Sequence, residues 1–148
     1  MVLRVTMNIK WEQDWLELFD DNLEALMAHY PEDFEYEDMN LGVRIVNNKS
    51  QLRELFKTFE NTSPDASLHY FNASRYHGDE NGGALEWTWE IEHKSDFLGL
   101  PAAGKVTKVT GITIHKFRDQ KIILERSLWD TAALLQQLGL PAPARLQF

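Results

Sequence analysis

The feature that most constrains this chain is a change of hydrophobic period near residue 67. Before it, Trp11, Trp15, Leu18, Phe19, Leu23, Leu26 and Met27 recur at spacings of three and four, which predicts an amphipathic helix from about residue 11 to residue 28. Pro31 helps to end it. Phe34 and Tyr36 alternate with Asp33, Glu35 and Glu37, predicting a short strand over 33–38. Ser50 is placed to cap a second helix whose apolar face is Leu52, Leu55, Phe56 and Phe59. After residue 67 the pattern alternates, giving strands at about 67–77, 84–93, 106–117 and 121–129. The polar connections 77–83 and 118–121 suit antiparallel hairpins, and 94–105 is a longer loop. Thr131 to Leu138 reads as a short helix stopped by Gly139 and Pro141. Helices followed by a run of antiparallel strands is α+β order. The expected architecture is a cone-shaped curved antiparallel sheet wrapped around N-terminal helices. No repeat or linker divides residues 1–148, so one domain is expected.

Composition narrows the partners. Fifteen basic residues against 23 acidic ones give a net charge of -8, a field that repels nucleic acid and anionic lipid. There is no cysteine, so disulfides and thiolate metal sites are excluded. The opening Met-Val-Leu-Arg-Val-Thr lacks the features of a leader, and no apolar run reaches about 18 residues; a cytoplasmic location is expected. The five His residues show no metal-ligand spacing, and neither a phosphate-binding loop nor a nucleophile elbow occurs. Any reaction is therefore expected to need no metal or cofactor.

Alternation places Asp38 on the same side of its strand as Phe34 and Tyr36. A carboxylate on an apolar side is either a proton-transfer group with a special environment or sits at an exposed strand end. His115 shares a face with Val109, Gly111, Thr113 and Phe117, as a proton carrier or as a satisfied core residue. Leu85, Trp87, Trp89 and Ile91 form one dry side of a strand, either a flat wall for an aromatic or polycyclic ligand or plain core. Arg75 and Arg126 are candidate carbonyl clamps, and Tyr30, Tyr36, Tyr70 and Tyr76 candidate oxyanion donors.

The segments Phe97-Leu-Gly-Leu-Pro-Ala-Ala-Gly-Lys105, Gly111-Ile-Thr-Ile114, Lys121-Ile122 and Trp129-Asp-Thr-Ala-Ala-Leu-Leu-Gln-Gln-Leu-Gly139 resemble the SnoaL-like polyketide cyclases of the nuclear-transport-factor-2-like superfamily. The resemblance covers about the last 45 residues closely. Tyr36-Glu-Asp38 more loosely resembles the stretch that carries the catalytic base of ketosteroid isomerases. Two departures stand out: Pro101-Ala-Ala-Gly104 replaces the common Pro-Pro-Thr-Gly, and Thr113 stands where many members carry His, with His115 two residues on as a substitute.

The resemblance implies a cyclase or isomerase in which Asp130 acts as acid/base beside a carbonyl. Read from its position alone, Asp130 is equally a good N-cap for the helix that follows. Catalytic candidates are thus Asp130, Asp38 and His115. The candidate substrate contacts are Trp15, Tyr36, Trp87, Trp89, Phe97, Thr113 and Trp129, with Phe97 to Leu100 closing the mouth. The rival expectation is a non-catalytic module that binds a hydrophobic ligand or associates with partners; a lyase or hydrolase on the same scaffold is a further one. The superfamily also implies a homodimer, with Ile112, Ile114 and Ile122 turned outward.

Overall fold

The computed structural model describes residues 6–144 and 146–147; residues 1–5, read above for leader features, lie outside the described residues. Helix α1 (Ile9–Asp21) starts at Asn8, whose side chain accepts the Trp11 N–H. It does not run on to residue 28 as its period suggests. Asn22 leaves helical geometry and caps a separate short helix, α2 (Leu23–Met27), by accepting the Ala25 N–H at 3.1 Å. Strand β1 (Glu35–Asp38) is followed by β2 (Val43–Val46), which alternation did not reveal. Helix α3 (Lys49–Phe56) is capped by Asn48 rather than Ser50, since Asn48 holds the Gln51 N–H at 3.1 Å. A single 3₁₀ turn, Lys57–Phe59, follows.

The remaining strands are β3 (Leu68–Asp79), β4 (Gly82–Glu92), β5 (Val106–Arg118) and β6 (Lys121–Trp129), and α4 (Thr131–Gln137) closes the described fold. They form one six-stranded sheet in the order β2-β1-β6-β5-β4-β3, antiparallel except for the parallel β1–β6 pair. The β5–β6 hairpin turns on Asp119 and Gln120, both with positive φ, as a two-residue turn of matching twist requires. No helix among the described residues is long and apolar enough to cross a membrane.

Two irregularities aim the inner face. In β3 the register shifts between Ala73 and Arg75, and the Ala73 N–H is taken instead by Gln13 Oε1 of α1 at 2.7 Å. In β6 the pairing steps from Leu124 to Ile122 across Lys116 and Phe117, so Ile123 is one residue too many. The extra residue reverses the alternation. Ile122 and Glu125 therefore both point inward, and Ile122 is fully buried rather than outward-facing as its pattern suggested. Ile112 and Ile114 do face out, with Leu128 paired beside Ile112.

The core lies between the inner sheet face and α1 to α3. Trp15, Leu16 and Phe19 of α1 are buried there with Leu52 and Phe56 of α3. Each such side chain contributes roughly 1.5–3 kcal/mol relative to exposure. Gly111 is fixed by this packing, because a Cβ at its position would meet the Trp87 ring at 2.4 Å.

Candidate active site

Strand register brings the inward residues together. Tyr36 and Asp38 on β1 lie beside Glu125 and Ser127 on β6; Ser127 faces Thr113 on β5, and Trp129 faces Gly111, over which the Trp87 ring lies. These side chains and those of Trp15, Leu16, Phe19, Phe56, Phe59, Phe71 and Trp89 enclose a cavity of about 50 Å³. Among the described residues no Lys or Arg lines it.

Asp38 is only 5% exposed, so it is not at a solvated strand end. The chain turns directly after it, and the N–H groups of Asn40 and Leu41 each donate to Asp38 Oδ1 at 2.9 Å. The Trp129 indole N–H adds a contact shared between Oδ1 (3.4 Å) and Oδ2 (3.2 Å). Asn40 fixes this corner: its amide oxygen accepts the Trp129 N–H at 2.8 Å while its amide nitrogen donates to the Trp129 carbonyl at 2.6 Å. Among the described residues Asp38 forms no salt bridge. Across the cavity, Trp87 Nε1 donates to Thr113 Oγ1 at 2.8 Å, and that hydroxyl lies 2.7 Å from Ser127 Oγ.

The cavity's other carboxylate belongs to a buried charge cluster. Tyr30 donates its hydroxyl to Glu125 Oε1, and His115 Nε2 lies 3.6 Å from the same oxygen. The other His115 nitrogen, Nδ1, is 2.9 Å from Glu12 Oε1. Burial by itself depresses the His115 pKa, but Glu12 and Glu125 outweigh it and push it up to about 9. The imidazole is therefore a cation held between two carboxylates. Burial and then the Glu125 charge hold the Tyr30 phenol well above its ordinary value. Burial, Glu125 and Asp38 do the same for Tyr36.

Of the candidates from sequence, Asp38, Trp15, Tyr36, Trp87, Trp89, Thr113 and Trp129 line the cavity. His115 stands behind Glu125. Asp130 is displaced from this group: it caps α4 by accepting the Ala133 N–H at 3.0 Å and borders a shallow depression on the outer sheet face. Phe97 is also outside the cavity. Its ring packs against Trp89, His93 and His69 at 5.5, 5.5 and 6.1 Å, and its N–H and C=O close a tight turn with Leu100 rather than forming a lid. Arg126 pairs with Glu37 at 3.1 Å and Arg75 is exposed, and neither lines the cavity. Tyr76 binds the Asp79 carbonyl in its hairpin, and Tyr70 is on the surface.

Sequence reasoning missed Glu12, Glu125, Ser127 and Asn40. Glu12 carried a readable signal, because it sits three and four residues before Trp15 and Leu16 on the apolar face of α1. Glu125 carried one too, since it alternates with Ser127 and Trp129, both buried; the β6 bulge inverts the face of Ile122 instead.

A cavity of about 50 Å³ is well below the roughly 150 Å³ that holds benzene. The polycyclic ligand suggested by the Trp wall does not fit it. The rings fill the cone themselves: Phe19 meets Phe56 at 4.9 Å, and Phe71 and Trp89 stack at 5.2 Å. Among the described residues no group of three or more His, Asp or Glu side chains is arranged to hold a metal ion.

Comparison with known proteins agrees with this architecture. A LEH-like epoxide hydrolase from M. tuberculosis superposes with a TM-score of 0.64 at 15% identity, covering 88% of this chain and 87% of that one. A SnoaL-like protein from Shewanella putrefaciens CN-32, assigned as a polyketide cyclase, gives 0.72 at 11% identity over 88% and 94%. IdmH from Streptomyces antibioticus, likewise assigned as a polyketide cyclase, gives 0.66 at 19% over 84% and 93%. A search of curated protein sequences returns no match. At these identities the likeness is one of fold, the nuclear-transport-factor-2-like cone. The family model of the SnoaL-like polyketide cyclases matches residues 11–138, and the chain belongs to that family.

Proposed function

We propose that the chain is a small-molecule enzyme in which Asp38, rather than Asp130, moves a proton beside a carbonyl without a cofactor. The observation that supports this most is a buried carboxylate on the wall of an aromatic cavity, oriented by three N–H donors and, among the described residues, without a salt bridge. In the reaction Asp38 takes the proton from the carbon next to the carbonyl and the C–H electron pair moves into the C–C–O system. The carboxylic acid so formed returns the proton to a different carbon conjugated with the enolate, giving isomerisation; with a second carbonyl in reach, the enolate carbon bonds to it instead, its C=O π pair becomes an alkoxide that takes the proton from Asp38, and a ring closes. The Tyr36 phenol, kept protonated by its surroundings, and the Thr113 and Ser127 hydroxyls are the groups available to the oxygen.

The test is deuterium uptake beside the carbonyl of small ketones and aminoketones, followed by NMR in heavy water. Uptake should be catalysed by the wild type, fall by two or more orders of magnitude in Asp38→Asn, and persist in Asp130→Asn. Unchanged uptake in Asp38→Asn would reject the assignment. The small cavity favours a second reading, a non-catalytic binding or association module; ligand binding with no uptake for any ketone would support it. We infer further that the outward Ile112, Ile114 and Leu128 form a homodimer face. Sedimentation that finds only monomer at high concentration would remove this.

A further inference from the structure

We propose that the cavity takes a small protonated amine bearing an oxygen acceptor, so that the substrate class of this site is an amino-carbonyl compound rather than a neutral ketone or an acid. The inference rests on the cavity being the substrate site, but not on Asp38 moving a proton. Among the described residues the walls carry two carboxylates, Asp38 and Glu125, and no Lys or Arg. Behind Glu125 lie Glu12 and His115, both essentially unexposed. Three buried carboxylates thus face a single imidazolium, an excess of negative charge that burial makes costly and a cation relieves.

The uncharged part of the wall has the same preference. Trp15, Trp87, Trp89 and Trp129 are among its lining residues, and indole rings attract cations and disfavour anions over their faces. Proton abstraction from a neutral carbonyl compound would place an enolate against Glu125, whereas a substrate with its own ammonium group keeps the local charge from growing more negative. A separate observation fixes the oxygen. Among the described residues Trp15 Nε1 is a buried donor on the cavity wall without a well-formed hydrogen bond, acting only weakly on the Tyr30 hydroxyl, which is itself committed to Glu125; a better acceptor would satisfy it. The volume of about 50 Å³ admits a head group of this kind and no ring.

The test uses three molecules of equal heavy-atom count on the wild-type chain: ethanolammonium, ethylene glycol and acetate. Binding is read from the Trp15 indole N–H resonance, assigned by its loss in Trp15→Phe. Ethanolammonium should bind at least tenfold more tightly than ethylene glycol, with acetate weakest. Asp38→Asn should erase the preference for the cation, bringing ethanolammonium and ethylene glycol to similar affinities. If that variant does not fold, the wild-type series decides alone. Equal binding of the cation and the glycol, or a preference for acetate, overturns the charge assignment and leaves the cavity as a site. Failure of all three to shift any cavity resonance removes both this inference and the substrate site itself.

Discussion

His115 and His69 are both buried on the inner face of one sheet, yet they are driven in opposite directions. His115 on β5 lies between Glu12 and Glu125 and has its pKa pushed up to about 9. His69 on β3 stacks with Phe71 and Trp89 and accepts the Trp89 Nε1–H at 3.1 Å. Burial, with His93 nearby, lowers its pKa to about 4. Burial disfavours the charged form at both places; only the sign of the neighbours differs. One end of the cone is therefore a buried ionic cluster, and the other is a neutral aromatic one whose His serves as a hydrogen-bond acceptor.

The largest expected effect comes from breaking the ionic end. Glu12→Gln keeps the shape of the side chain but leaves the His115–Glu125 pair without its outer carboxylate. Removing one member of such a buried group costs about 3–5 kcal/mol, and urea unfolding should show a loss of that size. A loss below about 1 kcal/mol would mean that the cluster is far more hydrated than its burial indicates.

Next comes the pH dependence, in which the two ends should act on opposite limbs. His115 holds its proton more tightly folded than unfolded, so its contribution is complete below the ordinary value of 6.5 and is lost as pH rises through about 9. His69 holds its proton less tightly when folded, so its contribution is complete above 6.5 and is lost as pH falls through about 4. Each limb is worth on the order of 3 kcal/mol at full extent. Stability measured against pH should fall on both sides of a maximum near 6.5. A profile without an alkaline limb between 6.5 and 9 would show that His115 is not held as a cation.

How much of this was readable beforehand follows the same division. The period change at residue 67, the antiparallel strands and the aromatic wall formed by Trp87 and Trp89 were legible because they depend on local spacing. So was Asp38, where alternation over β1 holds without interruption. The cluster around His115 was not equally visible. Glu12 was an anomaly within a helix pattern and Glu125 alternates with the buried Ser127 and Trp129, but their meeting across His115 is set by how α1 packs on the sheet, and the burial of Ile122 depends on the extra Ile123 in β6, a bulge with no reliable signal in a single sequence. Asp130 shows the converse limit. Both of its readings were present in the sequence, and the structure shows the cap, whose hydrogen bond to Ala133 is local, while its distance from the cavity is set by the whole sheet.

A smaller effect should separate the two limbs. His69→Gln retains an amide oxygen able to accept from Trp89 Nε1 but cannot titrate. It should cost about 1 kcal/mol through imperfect packing and remove most of the acid limb while leaving the alkaline limb in place. An acid limb that survives intact would transfer the assignment to His93, whose pKa burial also lowers.

The smallest effect is a control on the reverse side of the same strands. Glu37 on β1 and Arg126 on β6 are neighbours of Asp38 and Glu125 in sequence, but they form an ion pair on the outer face, 3.1 Å long and partly exposed at both ends. Water screens that pair, so Arg126→Ala should change stability by no more than about 1 kcal/mol and leave both pH limbs unaltered. The contrast with Glu12→Gln isolates burial from charge, since both substitutions remove one member of a carboxylate–cation contact and only one of those contacts lies in the core. If Arg126→Ala proved as costly as Glu12→Gln, the outer face would have to be covered, and the open sheet surface carrying Ile112, Ile114 and Leu128 would be the first place to look for what covers it.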